Sequence, residues 1–447
     1  MVEYLENNSL IHPNLHGSRA GHSTATALTQ LYDAWVEEVD MGNMVGVLLC
    51  DQSAAFDLCD HRILIEKLRL MGVDSPASDS FSSYLSERRQ SCMIDGYLSA
   101  PMLIPQCGVP QGSIGGPILW LVFTCDQPDV THTHPVNITD HTRGCINTSV
   151  PSSQSTKVPV IQKCGLMVGY VDDGALSFSS SSPATLSAVL SEKYKLMADW
   201  MNANKLVNNA DKTHLMIMGS RRHNSIRQNI SIMADGFSIK PSTTQRLLGG
   251  FLHQNLGWNQ HLRDHKSSLI NQLTQRMNGL RKVCANASFR TRLMVANGVI
   301  LSKLTYLITL WGGAPQNLIK SLQVQQLVAA RIVCGGQSQR WSRRQILEKV
   351  GWLSVRQLIF YFTVIQVHKT LSTGVPRDLY FALSREYTRN TRNAAAGQIK
   401  KIGRSTGTFQ HRAAECFNSV PIDVRSRSVQ AVKLKLKKRI RTNIPID

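Results

Sequence analysis

A chain of 447 residues is too long for one ordinary domain and fits two or three. Its 42% hydrophobic content supplies globular cores and excludes wholesale disorder. The formal charge of +20 is unevenly spread: residues 1–60 hold one basic side chain, Arg19, against nine acids, whereas residues 385–447 hold fifteen against four. A basic tail of that kind suits a polyanion, nucleic acid first, although a solvated basic surface has the same composition.

Ten cysteines lie scattered without a CxxC pair, the pattern of reduced intracellular thiols rather than of a disulfide framework. The acidic, polar N-terminus has no signal-peptide pattern, which predicts an intracellular protein, nucleus and cytoplasm being indistinguishable. The longest apolar stretch, Leu293 to Trp311, is interrupted by Asn297 and Lys303. It reads as a buried helix rather than a membrane span.

In chain order, His16 to His22 is a polar, glycine-punctuated loop, and Ser23 caps a helix predicted over Thr24–Asp40. Leu28, Leu31, Trp35, Val36 and Val39 form its apolar stripe, and Gly42 ends it. Val45 to Cys50 reads as a buried strand that delivers Asp51 at its end. Ala54-Ala55-Phe56-Asp57 follows, then a helix from about His61 to Met71 closed by Gly72. Residues 75–104 read as helix followed by strands. The glycine-dense run Gln106 to Pro117, containing Gln111 and Gly112, lets a backbone lie close to a ligand or serves as an irregular connector.

Residues 125–164 are rich in Thr, Ser, His and Pro and read as a surface insertion. His132, His134, His141, Cys145 and Cys164 lie in or beside it, but their spacing matches no usual zinc pattern. Next, two apolar runs flank Asp172-Asp173-Gly174, just after Tyr170-Val171. Asp-Gly between β-prone runs predicts a hairpin, with the glycine supplying the positive φ. Two acids at such a tip repel one another; a divalent cation would give them a reason to be there, while a solvated turn, where Asp is common anyway, is the bland alternative. Pro183–Asn204 is predicted helical, His214–Met218 a strand after Lys212, and Arg246–His253 strand-like. Helical periodicity then dominates from Trp258 to about Leu383.

Carboxylates at two strand ends, Asp51 and the Asp172-Asp173 pair, can meet in one antiparallel sheet and hold two cations for phosphoryl displacement. Here the chain resembles a family. Asp51 with Phe56 five residues on, then Val109-Pro110-Gln111-Gly112-Ser113, then Tyr170-Val171-Asp172-Asp173 look like motifs A, B and C of the reverse transcriptases of non-LTR (LINE-type, jockey-like) retrotransposons. Asn14–Thr24 is similar to the family's HGFR…ST segment, Lys212 to its motif D lysine and Leu248-Gly249 to motif E. Gly351-Trp352-Leu353 and Phe417 to Pro421 resemble its C-terminal marks.

The resemblance implies an α/β (α+β) right-hand polymerase: partial fingers at 1–43, a palm at 44–255 with interleaved fingers and an antiparallel sheet, a helical thumb at 256–384, and a basic C-terminal region. It implies two Mg²⁺ ions on Asp51 and Asp172 with Asp173 beside them, and Phe56 as a gate against the ribose 2′-hydroxyl. Gln111 and Gly112 would contact nucleotide and template, with Tyr170 in the nucleotide site, and Lys212 would steady the leaving pyrophosphate. The partners implied are an RNA template, a DNA primer and dNTPs, with no membrane. Ser18 stands where the family has Phe. The family's preceding fingers segment and endonuclease are not in these 447 residues, so the expectation is a retained metal site with weak or absent activity in this chain alone. Two rivals remain open: a non-catalytic nucleic-acid-binding relic, and a viral RNA-dependent RNA polymerase.

Overall fold

The computed structural model describes residues 1–52, 55–131, 165–207, 212–234, 236–335, 338, 340–384, 398–400, 407–425 and 427–443. The proposed insertion therefore lies outside the described residues from 132 to 164, as do the histidines and cysteines considered for zinc.

The chain opens with α1 (Val2–Asn7), α2 (Thr24–Asp40), β1 (Met44–Asp51), α3 (His61–Leu70) and α4 (Ser75–Leu85). Their starts are chemically marked. Ser23 and Thr26 form a reciprocal capping box on α2, Asp60 accepts from the N–H groups of Arg62 and Ile63, and Asp74 accepts from that of Ala77. Then β2 (Arg89–Gln90), β3 (Met93–Ile94), β4 (Tyr97–Leu98) and β5 (Met102–Leu103) pair as antiparallel ladders, β2 with β5 and β3 with β4. Helix α5 (Gly115–Phe123), strands β6 (Leu166–Tyr170) and β7 (Asp173–Ser180), helix α6 (Pro183–Ala203) and β8 (His214–Met218) follow. After α7 (Asn224–Arg227) come two hairpins, β9 (Ile232–Ala234) with β10 (Phe237–Ile239), and β11 (Thr244–Leu247) with β12 (Gly250–His253).

The remainder is helical: α8 (Leu269–Val283), α9 (Phe289–Ala296), α10 (Ser302–Thr305), α11 (Ile308–Trp311), α12 (Gln316–Cys334), α13 (Arg343–Val350), α14 (Val355–Thr373), α15 (Arg377–Leu383), α16 (Phe409–Asn418), α17 (Ile422–Arg425) and α18 (Val429–Asn443). The expected α+β class with an antiparallel sheet followed by helices is what the chain adopts. No single helix among the described residues is long and apolar enough to cross a membrane.

Two compact units divide the chain: Met1–Ala20 with Asn43–Ile217 and Arg222–Ser242, and Gly21–Gly42 with Met218–Arg221 and Thr243–Asp447. The division cuts across the expected 1–43 segment, because α2 groups with the helical unit. In the first unit a four-stranded sheet has the order β6-β7-β1-β8. Strand β1 is interior, and Met44 to Cys50 are all buried, which explains the unbroken apolar run. Helix α6 packs on it at Gly46, where a Cβ would sit 2.3 Å from Leu190 Cδ1. Leu48, Leu176, Met167, Trp120, Phe123 and Leu190 form the centre of this core.

Three expectations are corrected. Leu293–Trp311 is not one helix: α9 gives way to a π-helical turn at Asn297–Leu301 and two short helices, with Leu307 left-handed between them. Arg246–His253 is not one strand but a hairpin, with its turn at Leu248-Gly249. The glycine of Asp-Asp-Gly does not make the β6–β7 turn; Gly174 pairs within the ladder with Gly169 and Cys50.

Candidate active site

The β6–β7 ladder closes at the pair Tyr170↔Asp173, so the turn consists of Val171 and Asp172. Val171 carries the positive φ, 60°. A left-handed backbone at a β-branched residue is strained, and such strain persists only where surrounding contacts impose it. Those contacts come from two sides. From α5, Trp120 Nε1 donates to the Val171 carbonyl at 2.9 Å. From the N-terminal loop, the His16 N–H donates to the Gly169 carbonyl (2.8 Å) and the Gly169 N–H donates to the Asn14 carbonyl (3.0 Å). Gly17 then lies flush on the turn, since a Cβ there would sit 2.7 Å from the Val171 nitrogen.

The loop itself is fixed by Arg19. Its guanidinium, only 7% exposed, makes paired bonds to the Glu6 carboxylate at 2.7 and 2.8 Å and further bonds to the carbonyls of His12 and Leu15. Paired Arg–carboxylate bonds fix orientation as well as energy. Ser18 takes a positive φ of 56° within this loop.

The same rung of the sheet that holds Tyr170 and Asp173 continues into β1, where Asp51 is the direct partner of Asp173. Asp172 lies on the turn and is exposed. The sequence therefore delivers one acid from each of two antiparallel strands to a single rung, plus a third at the adjoining turn. The next rung pairs Cys50 with Gly174. Burial pushes the Cys50 thiol up to about 12, so it stays protonated. A rung with one acid on each strand would offer carboxylate oxygens, the donors that a hard cation such as Mg²⁺ takes.

The segment after β1 is stitched to the glycine-rich turn. The Gly108 and Val109 N–H groups donate to the carbonyls of Cys59 and Phe56, each at 2.8 Å, and a His61 ring nitrogen lies 2.7 Å from the Gly108 carbonyl oxygen. Gly108 carries a φ of +88° and packs 3.1 Å from the Asp57 carbonyl oxygen. Gln111 Nε2 donates to Asp57 Oδ1 at 3.3 Å. Gly112, with φ +81°, faces open space. Ser113 Oγ donates to the Pro110 carbonyl and accepts from the Gly116 N–H, setting the first turn of α5. Phe56 is half-buried and stacks on Trp120, ring centroids 5.4 Å apart.

Asp51, Tyr170, Asp172 and Asp173 are thus brought together by one ladder, and Phe56, Gln111 and Gly112 by the stitched loops. Lys212 is exposed ahead of β8, the strand on the edge of β1 away from β7. Sequence reasoning missed Trp120, which joins Phe56 to the Val171 turn; a tryptophan in an apolar helix carries no local sign of that role. It also missed Asn14, His16 and Gly17 as a brace on β6. The polar loop was visible, but its partner was not.

Behind the site, Lys205 pairs with the Asp60 carboxylate. Burial pushes the Asp60 carboxyl up, but the bonds from Lys205 and from the N–H groups of Ile63 and Arg62 outweigh it and hold it below its usual range. This anchors the start of α3, and hence the loop bearing Phe56 and Asp57.

The chain is similar to several known proteins. Residues 1–249 match the family "Reverse transcriptase (RNA-dependent DNA polymerase)". The probable RNA-directed DNA polymerase from transposon BS of Drosophila melanogaster is 26% identical over 320 residues, 71% of this chain and 32% of that protein. The RNA-directed DNA polymerase from mobile element jockey of Drosophila funebris is 22% identical over 71% of this chain and 31% of its own. The chain therefore spans about a third of the length of these curated relatives. Apo telomerase from Candida tropicalis aligns at 10% identity and a TM-score of 0.42, over 85% of this chain and 59% of that one.

Proposed function

The chain belongs to the reverse transcriptase family, and from that membership we propose that it is an RNA-directed DNA polymerase of a non-LTR mobile element. Its substrates are a primer 3′-hydroxyl, dNTPs and an RNA template. The single observation that carries the reading is the rung joining Asp51 to Asp173 beside the Tyr170–Asp173 turn.

Asp51, Asp172 and Asp173 would hold Mg²⁺, a pair of ions being suited to stabilising the attacking and leaving oxygens of an in-line displacement. The protein's own contribution is positioning, since nucleotidyl transfer needs little covalent help from side chains. Phe56, held against Trp120, would act as the aromatic gate that excludes a ribose 2′-hydroxyl. Gln111, hydrogen-bonded to Asp57, and the open, left-handed Gly112 would contact the nucleotide and the template. Lys212 supplies positive charge toward the leaving pyrophosphate.

Primer extension on an RNA template with Mg²⁺ tests the proposal. Incorporation of dNTPs by the intact chain, however weak, supports it, and Asp172→Ala should reduce that incorporation on the order of 100-fold or more, as loss of one electrostatic element does in other enzymes. Asp172 is exposed, so this variant should keep its helical content. Binding of nucleic acid with no incorporation by the intact chain would instead support a non-catalytic relic. Incorporation of ribonucleotides in place of deoxyribonucleotides would favour an RNA polymerase.

A further inference from the structure

One buried guanidinium links the start of the chain to the turn that bears Asp172. Strand β6 is an edge of the four-stranded sheet, and there Leu15 pairs with Gly169 in a single parallel bridge. The Asn14 carbonyl and the His16 N–H take the two backbone groups of Gly169. The carbonyl of Leu15, between them, bonds instead to Arg19 Nη1 at 2.9 Å. The same nitrogen donates to the His12 carbonyl at 2.9 Å, while Nε and Nη2 hold the two oxygens of Glu6. Glu6 stands on α1, where its neighbour Leu5 is buried in the core of this unit. Ser18, left-handed with a φ of 56°, turns the chain just before Arg19.

Apolar packing alone is non-directional and would leave such a loop several backbone arrangements. A guanidinium is planar and presents its N–H groups in fixed directions, so four simultaneous bonds select one arrangement. Glu6 offsets the charge that this burial would otherwise leave unpaired. The loop matters to the acids because the left-handed backbone of Val171 persists only while contacts impose it. Gly17, two residues before Arg19, is one such contact, flush against the Val171 nitrogen. A loop released from Arg19 would let that turn relax, and Asp172 would move with it.

We propose that Arg19 is a positioning residue for the metal site. Its bonds go to Glu6 and to the loop, and it acts on Asp172 and Asp173 only through Asn14, His16 and Gly17. The proposal rests on the reading of Asp51, Asp172 and Asp173 as the residues that hold the cation.

Two measurements on the whole chain test it, neither of them an activity. Hydrogen exchange read by mass spectrometry over residues 166–173 reports whether the turn and β6 have loosened. Titration with Mn²⁺, followed by electron paramagnetic resonance, reports whether the acids still bind a cation. Arg19→Gln should speed exchange in that segment about tenfold, as loss of charged hydrogen bonds does locally. It should also weaken Mn²⁺ binding about tenfold, the scale of loss when a group that orients metal ligands is removed. Arg19→Lys keeps the charge beside Glu6 but not the planar fork, so it should show smaller losses in both and serves if the Gln variant does not fold. Tyr4→Phe removes another tie of α1, the bond from the Tyr4 hydroxyl to the Met71 carbonyl at 2.8 Å, and should change neither measurement. Native exchange over 166–173 in an Arg19 variant, or losses in Tyr4→Phe equal to those of Arg19→Gln, would overturn the proposal. Faster exchange with Mn²⁺ affinity unchanged would also overturn it, because Arg19 would then serve the fold alone. Asp172→Ala separates the two readings. If it keeps full Mn²⁺ affinity, the metal site itself is overturned, and the proposal with it; if it loses affinity while Arg19→Gln does not, only the role of Arg19 falls.

Discussion

At the scale of single residues, the strained Val171 turn is held by contacts that can be removed one at a time. Gly17→Ala places a methyl 2.7 Å from the Val171 nitrogen. The loop or the turn must then move, which should cost about 1–3 kcal/mol, as overpacking does, and lower the melting temperature. A glycine chosen only for loop flexibility would tolerate the change, so an unaltered melting curve sinks the close-approach argument. Trp120→Phe keeps an aromatic ring beside Phe56 but removes the donor to the Val171 carbonyl. The expected loss of stability is about 1 kcal/mol, the net worth of one hydrogen bond. Because the turn bears Asp172, primer extension should fall more in kcat than in KM. An effect on stability alone would reduce Trp120 to a core residue.

At the scale of elements, two contacts in the helical unit join segments far apart in sequence. The Asp33 carboxylate, on α2, accepts from the N–H groups of Phe409 and Gln410 at 2.9 and 3.0 Å, so it caps the first turn of α16. Burial pushes its carboxyl up to about 6, and the two backbone bonds and Arg412 only partly offset that rise. The folded state therefore binds this proton more tightly than the unfolded chain does. The stability it confers is complete below about pH 4 and is lost as pH rises through 6, a difference on the order of 3 kcal/mol. Denaturant titrations from pH 4 to 7 should show that slope in the native chain and not in Asp33→Asn; parallel slopes would dismiss it. The β11–β12 turn makes a similar case for backbone form. Leu248 and Gly249 both have positive φ, and Tyr306 packs 3.1 Å from a Cβ position on Gly249 while its hydroxyl donates to the Leu248 carbonyl at 2.7 Å. Gly249→Ala should cost about 1–2 kcal/mol through the left-handed backbone alone.

At the scale of the whole chain, charge is the organising variable. The +20 total is not a uniform coat, because carboxylates are missing altogether from 265–347 and few in 385–447. Affinity for RNA or for a primer–template duplex should therefore fall steeply with salt, with a log–log slope more negative than about −3. A filter-binding series across salt concentrations measures it, and a slope near zero would remove nucleic acid as the partner of the basic segments.

Local chemistry was legible in the sequence wherever neighbours along the chain decide the outcome. The Ser23 capping box, the unbroken apolar run of β1 and the acids at strand ends are all of that kind, since caps and periodicity act over a few residues. Ordered spacing of Asp51, Gln111 and Asp172 also carried the family. What only the tertiary structure decided was register and approach. Asp51 stands opposite Asp173 because the β1–β7 ladder is in that register and no other, and a one-residue slip would have exchanged the faces. The positive φ fell to Val171 rather than to the glycine because the ladder continues through Gly174, which the Asp-Gly pattern could not reveal. Trp120, Gly17 and Asp33 owe their roles to partners dozens or hundreds of residues away, and no local signal encodes a partner at that distance.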